Sequence, residues 1–375
     1  MNLLERLPSD LQIQFEKIQN FLKDYTDRAY LVGGSVRDMV MNHIVKDLDI
    51  EVYDIDEEFF DVLMKKLGAK GVGKSFFVYK YSDIDISLPR TEKKSGTGHR
   101  AFNVQICQKE SLASKRRDFT MNSMMLNIFS YELLDFYGGL ESIKNRTITI
   151  IDKDSFKEDS LRVLRAVQFS SRFAFKIDKN SLKIMSDISL ADLSKTRIFW
   201  EFEKIFKSKY LYFGLYYLLK LDILDKVSTC RAQRELFLKC ALELGRGQRA
   251  FEEDIYPYYF LYISSNILKF DAIALLKNID APKHYLTALK NQPYFERYIS
   301  NSELKIIAID TPICKWLGNY KKGIRSRAKK LDIWDKVFDG GIEVSNVIAD
   351  GYKKQEIKKE LRRRKIFVAM QDCKL

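Results

Sequence analysis

The sequence predicts an α+β chain with a head over residues 1–150, a helical neck over 151–215 and a helical body and tail over 216–375. Two observations carry this division. Nine of the 17 glycines fall before residue 140, while residues 140–213 lack glycine and residues 90–256 lack proline. Turns therefore crowd the first part, and uninterrupted helices suit the rest. In addition, short apolar runs bounded by turn residues fill the head. Later stretches such as SLRVLRAVQFSSRF, RIFWEFEKIFKS and YFGLYYLLKLDIL place apolar residues at helical spacing.

In order, AYLVGG (29–34) reads as a strand entering a glycine turn, and SVRDMVMNHI as the helix after it. DLDIEVYDI (47–55) is a strand, and DEEFFDVLMKKLG (56–68) an amphipathic helix closed by Gly68. FFVYKY and DIDISL alternate as strands, followed by a polar loop over 91–102. MNSMMLNI and YELLDF suit a hairpin, GGLESIKN a short helix and RTITII a last strand. Close hairpins imply a small mixed or antiparallel sheet with helices on one side.

Composition narrows the function. With 46% hydrophobic residues the 375-residue chain can bury a core. Its 64 Lys and Arg against 51 Asp and Glu leave a net charge of +13, which favours a polyanionic partner, most often nucleic acid. No apolar run approaches the ~18 residues of a membrane span and MNLLERLPSDLQ lacks a signal-peptide core, so the expectation is cytoplasmic with no membrane partner. The five cysteines form no C-x-x-C pair, which argues against a disulfide partner or a zinc cluster. Three scattered histidines, none followed by Asp, argue against an HD-type phosphohydrolase module, and no G-x-S-x-G elbow is present. The basic run KKQEIKKELRRRK (353–365) is either a solvated helical face or a phosphate contact.

The candidate chemistry begins at Gly33, Gly34 and Ser35, between a strand and a helix, where backbone can approach a phosphate. Arg37 and Asp38 follow in the first helical turns. Asp47 and Asp49 alternate on the next strand and so share a face, while Leu48 and Ile50 turn to the core. They are either exposed strand aspartates or a pair of carboxylates for a hard cation such as Mg2+. Asp85, on a second strand, adds a third carboxylate. Three such groups beside a glycine turn suit two-metal nucleotidyl transfer.

LVGGSVRDMVMNHIVKDLDIEV (31–52) resembles the signature of class II tRNA nucleotidyltransferases and poly(A) polymerases, within the polymerase-β-like superfamily. SLASKRRDFTMNSMMLNI (111–128), FKEDSLRVLRAVQFSSRF (156–173) and, more loosely, TRIFWEFEKIF (196–206) continue the likeness in order. The resemblance implies a polymerase-β-like head and addition of C, C and A to tRNA 3′ ends from CTP and ATP. Gly33, Gly34, Ser35 and Arg37 would hold the triphosphate, and Asp47, Asp49 and Asp85 the Mg2+ ions, with these three as catalytic residues. Arg117 and Asp118 would contact the sugar and phosphates.

In the third block, Glu158, Asp159, Arg162 and Arg165 are spaced to share one helix face, either as ordinary ion pairs or as base readers. A carboxylate accepts from an exocyclic amino group and a guanidinium donates to a ring nitrogen or carbonyl, so Asp159 with Arg162 would admit C and A and reject U and G. The resemblance gives those two positions that role, with Arg165 helping with phosphates or with Asp159. The helical remainder would grip the tRNA acceptor arm and 3′ end by shape and charge. Asn42, Ala101 and Gln168 depart from the pattern. A poly(A) polymerase, a CC-adding or A-adding enzyme, and an inactive RNA-binding protein remain as alternatives.

Overall fold

The computed structural model describes residues 7–73, 77–94, 102–228 and 231–371. It divides into two compact units, Met1–Glu201 and Phe202–Leu375.

The first unit opens with α1 (Ser9–Leu22), which buries Leu11, Phe15, Ile18 and Leu22 along one stripe at helical spacing. Then come β1 (Ala29–Val32), α2 (Gly34–Val40), β2 (Leu48–Val52) and α3 (Glu57–Leu67). The limits of α3 are set by local chemistry. Asp56 accepts the Phe59 N–H at its start, acids fill its first turn and lysines its last, and Gly68 at φ +85° ends it.

Strands β3 (Lys70–Gly73), β4 (Val78–Tyr81) and β5 (Ile84–Ser87) complete one half of the sheet. After them run β6 (Arg90–Lys94), β7 (Phe102–Ile106), α4 (Glu110–Lys115), a 3₁₀ turn (Thr120–Asn122), β8 (Met125–Asn127), β9 (Leu133–Leu134) and α5 (Gly139–Lys144). The sheet order is β3-β4-β5-β2-β1-β8-β9, with β2 and β5 parallel and the other neighbours antiparallel. This is the small mixed sheet expected.

Alternation gives the sheet two different faces. Leu31, Leu48, Ile50, Ile84, Ile86 and Leu126 join the α1 and α3 residues Phe15, Ile18, Phe60 and Met64 in one core. The opposite face carries Tyr30, Val32, Tyr53 and Met125 as a smaller cluster, and on the same strands Asp49, Glu51 and Asp85.

The structure corrects three local expectations. The polar loop expected over 91–102 has strand at both ends, because β6 and β7 pair as a separate antiparallel ribbon from Arg90↔Ile106 to Lys94↔Phe102. Alternating Phe102, Val104 and Ile106 carry the strand signal. Residues 95–101, with His99 and Ala101, lie outside the described residues. RTITII supplies β10 (Thr147–Ile148), which leaves the main sheet and pairs in parallel with β11 (Lys176–Ile177), a short strand in the otherwise helical neck.

The third correction concerns the block of base readers. Helices α6 (Lys153–Lys157) and α7 (Leu161–Phe173) are separate, so only Arg162 and Arg165 lie on a helix, and Glu158 and Asp159 stand in the connector. The Asp159 carboxylate accepts the Leu161 N–H at 3.2 Å, a local turn that competes with helix continuation. Arg162 N–H donates to Asp159 O and Val163 N–H to Ser160 O, tightening the same turn. Helices α8 (Lys179–Ser186) and α9 (Lys195–Phe206) follow.

The second unit is helical, with no strand among its described residues. The helix Tyr256–Leu268 is buried nearly all round, and Ile299, Leu304, Ile313, Trp316, Ile324 and Ile333 form a further core. The basic run lies on the helix Gln355–Gln371. Its arginines are engaged within the unit: Arg363 and Arg364 bind buried Glu360, Arg364 also binds Asp350, and Arg362 binds Asp310. Lys358 and Lys359 remain on the exposed side. No described helix is long and apolar enough to cross a membrane. Cys107, Cys240 and Cys314 are free.

Candidate active site

Register places the carboxylates. Asp49 on β2 is the direct partner of Asp85 on parallel β5, and on its other side of Val32 on β1, one residue before the glycine turn. Asp47 stands exposed just ahead of β2. Desolvation by the surrounding protein raises the pKa of Asp49 although its edge reaches solvent. Arg117 opposes this, and the Asp47, Asp85 and Glu51 carboxylates add to it. Asp85 Oδ1 is buried without a hydrogen-bond partner, and Lys80 Nζ lies 4.0 Å from it.

No group of three or more His, Cys, Asp or Glu among the described residues is already gathered around a point that would hold a metal ion. Like-charged carboxylates repel, and Asp85 leans toward Lys80. The donor set nevertheless fits a hard divalent cation: Asp49 and Asp85 on neighbouring strands and Asp47 just ahead of one of them, with an Asp85 oxygen that accepts no hydrogen bond.

Gly33 has φ +73° and ψ −133°, a conformation closed to residues with a side chain. A Cβ there would lie 2.9 Å from Arg117 Nη1 and 3.5 Å from Asp49 Oδ2. The turn, the guanidinium and the carboxylate thus converge on one spot. The Ser35 hydroxyl is turned inward and donates to Val32 O at 2.9 Å, so what Ser35 can offer an anion is its backbone N–H.

Arg37 is not an open phosphate ligand. It is 4% exposed, donates to Asp38 at 2.9 Å and to Asn122 at 2.7 Å, and lies over the rings of Phe169 and Phe173. Asp118 is 7% exposed and accepts from Asn122 at 2.8 Å, from its neighbour's N–H and from Arg165 at 2.7 Å. Burial pushes the Asp118 carboxyl up, but Arg165 and Asn122 outweigh it and hold it below the usual range. Arg172 closes the chain on Asp38 at 3.1 Å. The run Arg165–Asp118–Asn122–Arg37–Asp38–Arg172 fastens α7 to the head. Both oxygens of Asp118 accept hydrogen bonds inside it.

Among the residues expected to read the base, Asp159 is held by Arg197 at 3.3 Å, and Arg162 donates to the carbonyls of Ser155 at 2.9 Å and Arg116 at 2.6 Å. Arg165 serves Asp118. Glu158 caps the end of α6.

Sequence reasoning missed Glu51, Asn122, Arg172 and Arg197. Glu51 was findable: the alternation that joins Asp47 to Asp49 continues to it. It is 1% exposed and accepts from Arg116 at 2.8 Å and Arg117 at 3.0 Å, both at Oε1. Burial pushes its carboxyl up, and the Arg117 and Arg116 guanidiniums reverse this and hold it below the usual range.

A mixed sheet that sets register-paired carboxylates beside a glycine turn has the donor types that nucleotidyl transfer uses. Residues 29–149 match the family of poly A polymerase head domains. A multifunctional CCA protein of Pasteurella multocida is 35% identical over 188 residues, 47% of this chain and 43% of that protein. A CCA-adding enzyme of Lactococcus lactis is 31% identical over 215 residues, 54% of this chain and 52% of that one. The chain thus spans about half the length of these curated relatives. A Thermotoga maritima CCA-adding enzyme complexed with tRNA superposes with a TM-score of 0.66 at 20% identity, over 97% of this chain and 92% of that one. For a Bacillus stearothermophilus CCA-adding enzyme in complex with CTP the values are 0.62 and 20%, over 96% and 93%. At such identity the likeness is one of fold. Residues 29–149 are thus similar to poly A polymerase head domains, and the fold of the chain is that of CCA-adding enzymes.

Proposed function

We propose that this protein adds C, C and A to tRNA 3′ ends from CTP and ATP without a nucleic-acid template. The observation that carries the reading is the register pair Asp49 and Asp85, with Asp49 Oδ2 and Arg117 Nη1 both close to the Gly33 turn.

Asp47, Asp49 and Asp85 would hold Mg2+, which when bound lowers the pKa of the attacking hydroxyl and steadies the pyrophosphate. Asp49 would supply its carboxylate beside Asp85, its register partner on the neighbouring strand. Gly33 and Gly34 let the triphosphate approach backbone N–H groups, and Arg117 Nη1 fronts that spot as a donor. Arg37, Asp118 and Arg165 keep α2, the 3₁₀ turn and α7 in place rather than touching the nucleotide. Asp159 and Arg162 would read the base edge, competing with the partners they now hold.

In the second unit, a cavity of about 610 Å³ is lined by Arg246, Arg249, Arg297, Lys321, Lys322 and Arg327 against Glu243 and Glu296. This supports RNA backbone binding there. Because tRNA and nucleoside triphosphates are its substrates, the protein would work in the cytoplasm.

The test incubates the full chain with Mg2+ and tRNA lacking one, two or three terminal nucleotides, with each nucleoside triphosphate alone and all together. Restoration of CCA and no further growth is expected. Stopping after CC, adding A alone or running into long A tails would each replace this reading, and incorporation of nothing would favour an RNA-binding protein.

A further inference from the structure

We propose that Glu51 is a positioning residue for the nucleoside triphosphate, acting through Arg117. The inference rests on the reading of the Gly33 turn as the phosphate site. Glu51 is the third member of the alternation Asp47, Asp49, Glu51, but unlike the other two it is sealed from solvent. Its Oε1 accepts from Arg116 and Arg117 together, and Tyr53 OH approaches Oε2 at 3.4 Å.

A guanidinium is a rigid planar fork, so fixing one Nη fixes the direction of the other. Arg117 Nη2 is fixed on Glu51 at 3.0 Å, and Nη1 then stands where a Gly33 Cβ would be only 2.9 Å away. Arg117 Nε is buried with no partner, so the head of the side chain is held by Glu51. Asp49 Oδ2 lies 3.5 Å from the same Gly33 point. Asp49 also interacts electrostatically with Arg117 and so competes for it. Glu51 keeps the arginine off that carboxylate, leaving Nη1 to the triphosphate and Asp49 to a cation.

Glu51→Gln keeps the shape and removes the charge. In the full chain with Mg2+, the Kd of CTP and of ATP by calorimetry, and KM for both, are expected to rise about tenfold or more, with kcat changed less than about threefold. The rise should be alike for the two nucleotides, because phosphates rather than bases are addressed. Glu51→Asp should recover part of the loss. Glu51→Gln combined with Arg117→Ala should bind no more weakly than Arg117→Ala alone, since one acts through the other.

A folded Glu51→Gln protein with wild-type nucleotide affinity, or losses that multiply in the double variant, would overturn the proposal. If circular dichroism shows Glu51→Gln unfolded, wild-type affinity in Arg117→Ala overturns it equally. A wild-type chain that binds neither nucleotide would sink the phosphate-site reading and this proposal with it.

Discussion

Replacing Gly33 by Ala, compared with the same change at Gly34, tests the turn on which the site is built. Gly33 lies at φ +73°, ψ −133°, outside even the left-handed helical well. Placing Ala there costs about 2 to 3 kcal/mol of backbone strain. The added methyl also meets Arg117 Nη1 at 2.9 Å, and because Glu51 holds that guanidinium, shifting it adds to the cost, so the backbone strain is a lower bound. Gly34 has no positive φ, and a Cβ there first meets Arg37 Nη2 at 3.4 Å, an ordinary contact. In a unit of about 200 residues the Gly33 strain corresponds to a fall in Tm of about 4 to 12 °C, whereas Gly34→Ala should move Tm by under about 3 °C. Because the moving atom is the proposed phosphate donor, Gly33→Ala should also raise nucleotide KM by more than its stability loss explains. Thermal unfolding by circular dichroism and steady-state incorporation read the two effects. Equal Tm values for the two variants, or a Gly33→Ala enzyme with wild-type KM, would refute the reasoning.

Further outcomes follow from the same geometry. Asp47→Ala, Asp49→Asn and Asp85→Asn should each abolish incorporation while tRNA affinity, measured by filter binding, stays near wild type; retained incorporation would remove the residue from the cation site. Asp118→Asn breaks a buried pair and should cost about 3 to 5 kcal/mol in urea unfolding at pH 7. Since its folded pKa is depressed, that stabilisation is complete above the unfolded value of about 3.9 and is lost as pH falls further. The wild-type advantage should therefore shrink below about pH 4. In the second unit, Ser300 and Glu303 form a capping box, and Arg297 followed by the Ser300 N–H hold the Glu303 carboxyl at about 2. Ser300→Ala should cost about 1 kcal/mol in denaturant unfolding. The contribution of Glu303, read against Glu303→Gln, should fade as pH drops from about 4 toward 2. Asp159→Ala and Arg162→Ala should relax discrimination against UTP and GTP in single-turnover assays, and Arg197→Ala, by releasing Asp159, should do so more weakly.

The head was legible where its signals are local. Period-two alternation put Leu48 and Ile50 in the core with Asp49 turned the other way, and the capped pattern of α3 held to the residue at Gly68. The strand pairing of β10 with β11 joins residues nearly thirty apart and leaves no local trace. Helical spacing alone could not show that the Asp159 turn interrupts the helix, because an aspartate offers the chain both options. The partners of Arg37 and Asp118 were hidden for a related reason. A charged residue in a phosphate-binding pattern looks the same whether its partner is a ligand or another side chain. Arg37 meets Asn122 85 residues on, and Asp38 meets Arg172 134 residues on. Only tertiary structure reveals those meetings.

The charged run from Arg165 to Arg172 bears on how the molecule is made. A ribosome delivers Arg37, Asp38 and Asp118 long before α7, so the growing chain holds an unfinished head whose interior charges lack their counterparts. Phe169 and Phe173, which cover the Arg37 guanidinium, arrive last. The segment that family comparison recognises ends at residue 149. The piece that can close around its own charges must extend through Phe173. A module cut at the earlier boundary would therefore carry Asp47, Asp49 and Asp85 on an unsealed scaffold, and evolutionary bookkeeping and nascent-chain folding divide this polypeptide at different places.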